Sequence, residues 1–146
     1  MEKSKKPNLN HARTMDIDAW RERQVTKRLK TRLTAQTQEF MDRHGGDTDE
    51  QLREYVRRRA VALRRMPHPL EIRGGIYLSK RLGDWARLAK ALGLAPVSQA
   101  RGRKAYKLLR EREAALFAQE RKAEKEAKRQ QRLQRLKENH AAKQTR

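Results

Sequence analysis

The chain has 146 residues, 38 Lys or Arg against 18 Asp or Glu, giving a net charge of +20 and a pI near 11.2. With 36 % hydrophobic residues and a mean hydropathy of -1.16, it has too little apolar surface for one large core, and no apolar run approaches a membrane span. The absence of cysteine excludes disulfides and thiolate chemistry and fits a reducing, cytoplasmic setting.

In chain order, residues 1–14 are polar and basic, carry Pro7 and lack the apolar stretch of a signal peptide, so they read as a flexible arm. Asp16 or Asp18 can cap a first helix, assigned to residues 15–46. Its Ile17, Trp20, Val25, Leu29, Leu33 and Phe40 recur near helical spacing, and Gly45-Gly46 ends it. Thr48-Asp49-Glu50-Gln51 has the pattern of a capping box and opens a second helix that runs to about Met66. Leu52, Val56, Ala60 and Leu63 form its apolar stripe, and Pro67 and Pro69 stop it.

Leu70 to Ile72 can make one helical turn, and Gly74-Gly75 a turn. Ile76 to Leu82 reads as a short helix, broken by Gly83, with Asp84 capping the next. The spacing of Leu78, Leu82, Trp85, Leu88 and Leu92 places them on one buried face. Ser98 can cap a long basic helix within residues 97–140, rich in Glu, Lys, Arg, Gln and Ala, and residues 141–146 are expected to be a disordered tail. The expected fold is all-α: a helix-turn-helix-like core over residues 47–96, flanked by the N-terminal helix and the long C-terminal one.

Charge is uneven along this plan. Residues 1–50 carry a net +2, residues 51–100 a net +8 and residues 101–146 a net +10. Like charge at this density raises the free energy of a compact state, so a polyanion is the expected partner.

Pro67, Gly74-Gly75, Tyr77, Arg81-Leu82-Gly83-Asp84-Trp85 and Leu92-Gly93-Leu94 follow one another in an order that resembles the homing-endonuclease-associated repeat, a small helical DNA-binding module. The resemblance covers residues 49–94, about a third of the chain, and most matching positions are structural. Leu82 stands where that family usually has Phe, and the chain has one copy where the family usually has tandem copies. It implies a tri-helical, helix-turn-helix-like fold and DNA binding, and carries no nuclease residues.

Three sets of residues are candidates for nucleic-acid contact. Arg53, Arg57, Arg58, Arg64 and Arg65 offer planar forks suited to phosphate oxygens. Tyr77, Ser79, Lys80 and Arg81 lie on a short helix that could enter a major groove. Arg121, Lys125, Lys128, Arg129 and Arg132, continued by Arg135, recur at steps of three and four residues and make a basic stripe, suited to a backbone or a groove without reading bases.

His11, His44, His68 and His140 are scattered without acidic partners at ligand spacing, and neither Gly-Gly pair belongs to a phosphate-binding loop. No catalytic constellation is readable, so neither enzymatic activity nor a cofactor or metal is expected. The expected function is nucleic-acid binding in the cytoplasm, at the nucleoid or the ribosome, with DNA favoured over RNA. The alternatives are an RNA- or ribosome-associated protein, and a protein-interaction module working through helix 16–44 or the C-terminal helix. A membrane partner is not expected.

Overall fold

The computed structural model describes residues 9–145, with side chains from Asp16 onward. The order is α1 (Leu9–His44), α2 (Asp49–Leu63), a 3-10 turn (Pro69–Glu71), α3 (Gly75–Leu82), α4 (Trp85–Ala91) and α5 (Gln99–Gln144), and the described residues contain no strand. The fold is therefore all-α. The chain divides into a compact unit ending at Arg110 and a second unit beginning at Glu111. The compact unit thus takes in α1 and the start of α5, as well as the expected core of residues 47–96.

Local chemistry explains most boundaries. The Thr48 hydroxyl accepts the Gln51 N–H, and the Thr48 N–H donates to the Gln51 side chain, so both halves of the capping box are made. The Asp84 carboxylate accepts the Ala86 and Arg87 N–H groups, and the Ser98 hydroxyl accepts that of Arg101. His68 caps the 3-10 turn through Nδ1, which accepts the Leu70 N–H at 3.0 Å.

Three boundaries differ from expectation. Residues 9–14, assigned to the arm, form the first turns of α1; nothing after Pro7 in that stretch breaks a helix, whereas residues 1–8 lie outside the described residues. α2 stops at Leu63, because Arg64 takes the left-handed conformation at φ 58° and Pro67 disfavours helix at the residue before it. α5 continues through Gln144, beyond the expected end near residue 140, since Ala141-Ala142 favour helix and no Gly or Pro intervenes; Arg146 lies outside the described residues.

The core gathers Phe40, Leu52, Val56, Met66, Ile72, Leu78, Leu88 and Ala89, with Tyr55, Tyr77, Leu82, Trp85 and Leu92 packed around it. Leu52, Val56 and Leu78 are fully buried, and truncating any one to Ala costs about 2–5 kcal/mol. Phe40 holds the aromatic part together, with ring centroids of Tyr55 and Tyr77 at 5.4 and 5.9 Å. Trp85 packs its indole against this core and donates Nε1–H to the Pro67 carbonyl at 2.9 Å.

Gly74-Gly75 is more than a turn. A Cβ on Gly74 would lie 2.2 Å from the Phe40 ring, and one on Gly75 would lie 1.7 Å from the Pro69 carbonyl oxygen. Gly74 also has φ 77°, a backbone conformation that other residues rarely adopt. The pair lets the start of α3 press directly onto α1 and the 3-10 turn.

Candidate nucleic-acid interface

The candidate cations separate into those the fold uses and those it leaves to solvent. Arg81 belongs to the first class. It is 26 % exposed, and its guanidinium donates to Asp49 (3.1 Å), the Tyr77 hydroxyl (2.8 Å), the Gly45 carbonyl (3.1 Å) and the Asp47 carbonyl. Four partners, from α3, the α1–α2 loop and the first residue of α2, make it a staple. The Tyr77 hydroxyl, and then Asp49, raise its already high pKa.

Arg65 is likewise taken up. It grips Glu71 with two parallel hydrogen bonds of 2.8 and 2.5 Å, in a pair whose side chains are 30 % and 20 % exposed. Glu71 also accepts the His68 N–H at 3.0 Å. The Arg65 fork, with help from that N–H, holds the Glu71 carboxyl down at about 2 from an ordinary value of 4.5. His68 is pushed below its usual 6.5 by burial, against the opposing pull of Glu71.

The short helix α3 is mostly committed to its own neighbourhood. Tyr77 packs on the core and binds Arg81, and the Ser79 hydroxyl donates to the Ile76 carbonyl at 3.0 Å. Of Tyr77, Ser79, Lys80 and Arg81, Lys80 alone is fully exposed, and it has no ion-pair partner among the described residues. Tyr77, Ser79 and Arg81 are half-buried and bonded within the compact unit, which leaves Lys80 as the exposed cation of the four.

α2 presents a mixed face. Arg57 is exposed but locked to Glu54 by bonds of 2.7 and 2.6 Å, and Arg58 lies 3.6 Å from the same carboxylate. Arg53 and Arg64 are exposed and unpaired among the described residues, as is Arg59 in the Arg57-Arg58-Arg59 run.

The second unit is different. Every described residue from Lys122 to Thr145 is exposed. Lys125, Lys128, Arg129, Arg132 and Arg135 lie on one side of α5 and form no ion pair among the described residues. Glu126 and Glu138 accept hydrogen bonds from Gln130 and Gln134 instead. Arg121, grouped with this stripe by its spacing, differs: it is half-buried, with its guanidinium 5.8 Å from the Phe117 ring centroid.

The described residues contain no cluster of three or more His, Asp or Glu able to hold a metal, and none of their helices is long and apolar enough to cross a membrane. No family model matches the chain, and neither a curated protein nor a solved structure is significantly similar to it.

Proposed function

We propose that this protein is a non-enzymatic nucleic-acid-binding protein, with duplex DNA the favoured partner, that holds its target chiefly through phosphate contacts. The observation that carries this reading is the exposed row of Lys125, Lys128, Arg129, Arg132 and Arg135, which no carboxylate neutralises among the described residues. An α-helix rises about 1.5 Å per residue, so the row extends roughly 15 Å, and duplex DNA offers one charge per ~1.7 Å of its axis. Lys and Arg in such a row need no fixed register to release counterions. Arg53, Arg59, Arg64 and Lys80 supply a second group of unpaired cations on the compact unit. The resemblance of residues 49–94 to a DNA-binding repeat supports DNA over RNA, while a long exposed basic helix also suits the backbone of structured RNA.

The test is a salt titration on duplex DNA, structured RNA and heparin. Binding through Z phosphates gives a log–log slope near −0.9Z on B-DNA, so Lys125→Gln, Lys128→Gln and Arg132→Gln together flatten the slope by up to about 2.7. A preference for RNA at matched salt reverses the order of partners. A flat response on both nucleic acids removes the proposal and favours a protein partner.

A further inference from the structure

Within the compact unit, α1, α3 and the start of α5 enclose a groove of about 500 Å³, a size typical of small-molecule sites. Its chemistry is layered. Leu29, Leu33 and Ile76 give it an apolar floor, and Tyr106 an aromatic wall. Lys30 and Lys80 line it from α1 and α3; both are exposed and without an ion-pair partner among the described residues.

The polar atoms in the groove have a definite sense. The Thr34 and Thr37 hydroxyls donate to the Lys30 and Leu33 carbonyls at 2.9 and 2.8 Å, so what they have left to offer is acceptor lone pairs. The Gln38 amide spends one N–H on Asp42 at 2.9 Å and keeps its carbonyl oxygen and its second N–H. A hydrocarbon chain would leave these acceptors unpaired, and a cation would meet two ammonium groups.

Tyr106 is held in place while remaining 42 % exposed. The Arg110 guanidinium sits 5.9 Å from its ring centroid and is itself anchored on α1, by the Thr26 hydroxyl at 2.6 Å and by the Glu22 carboxylate. A fixed aromatic wall, acceptors for N–H groups and two free ammonium groups together match a nucleobase flanked by phosphates.

We infer that this groove takes one unpaired nucleotide of a nucleic acid, its base stacked on Tyr106 and its flanking phosphates met by Lys30 and Lys80. The inference rests on the nucleic-acid reading above and deepens it: the basic stripe is blind to structure, and the groove selects a site where a base has left the helix. Expelling a base from a paired duplex is costly, so a bulged nucleotide is the natural ligand.

The experiment compares the full chain on a short duplex and on the same duplex with one unpaired adenine, at one salt concentration. The bulged duplex is expected to bind about tenfold tighter, in keeping with a single base–aromatic stack. Tyr106→Ala brings the two affinities together, Tyr106→Phe keeps them apart, and Lys30→Gln with Lys80→Gln narrows the gap. Circular dichroism reports that each variant keeps its helices. Equal affinity of the unsubstituted protein for both duplexes overturns the groove assignment and leaves the phosphate reading standing, as does a preference that survives Tyr106→Ala. Failure to bind either duplex overturns both.

Discussion

The compact unit and the second unit use the same residue types for opposite ends. Up to Arg110 the chain has 27 basic and 12 acidic residues, yet several arginines there are structural: Arg81 staples the α1–α2 loop, Arg65 clamps Glu71, Arg73 bridges to Glu39 and Arg110 binds Glu22. From Glu111 onward there are 11 basic and six acidic residues, a smaller excess, but the exposed cations from Lys122 to Lys143 have no ion pair among the described residues. Net charge therefore overstates what a folded region offers a partner. A guanidinium with four internal hydrogen bonds cannot turn to a phosphate without giving them up. An exposed lysine on an isolated helix face loses little by doing so.

Several changes would break or sharpen that contrast. Gly75→Ala should act most strongly, since its Cβ would collide with the backbone of Pro69; a loss of about 3 kcal/mol or more in a urea titration is expected. Gly74→Ala should come close to it. By contrast, Ala127→Gly in the second unit should cost no more than about 1 kcal/mol of helix.

Acid should discriminate next. Glu71 titrates near 2 when folded and near 4.5 otherwise, so its contribution is complete above pH 4.5 and vanishes as pH falls towards 2. The clamp is about 2–3 kcal/mol at neutral pH after allowance for its partial exposure. His68 acts in the same direction at higher pH. Its folded pKa is lowered, so its stabilisation is present above pH 6.5 and is lost as pH drops below that value. Urea midpoints across pH 2–7 should fall in two stages, and Glu71→Gln should flatten the lower one.

Trp85→Phe removes the N–H that satisfies the Pro67 carbonyl while keeping most of the packing, and should cost about 1–2 kcal/mol. Arg64→Gly has the opposite sign. It relieves a left-handed arginine and should add about 0.5–1 kcal/mol in stability, while removing one unpaired cation from the proposed interface. Smallest of all, Lys125→Gln, Lys128→Gln and Arg132→Gln together should leave the melting transition of the compact unit within about 0.5 kcal/mol, while the salt slope of binding changes. Loss of stability from that triple substitution would show that these cations serve the fold after all.

Much of the architecture was legible because it is local. A capping box spans three residues, an Asx cap two or three, and a left-handed glycine acts where it stands; Thr48, Asp84, Ser98 and Gly83 are all recognisable from their neighbours. The stripe of Leu52, Val56 and Ala60 is buried as its period requires. The fates of the arginines were not legible. Arg57 and Arg58 share Glu54 within one helical turn, which spacing shows, but Arg81 meets partners 32 to 36 residues away, and no spacing rule reaches that far. Met66 and Ile72 are buried core residues that no periodicity marks, because they flank a Pro-x-Pro bend where neither helical nor strand spacing applies.

The groove marks the same boundary between near and distant causes. Lys30, Lys80 and Tyr106 are far apart in the chain, and no spacing rule brings them together. By itself the sequence determined an all-helical chain, its caps, its buried stripes and an excess of 20 positive charges, because each of these follows from composition or from contacts within a few residues. Tertiary structure alone decided which charges remain free, since hydrogen bonds and burial between distant segments consume a guanidinium or leave it to the solvent.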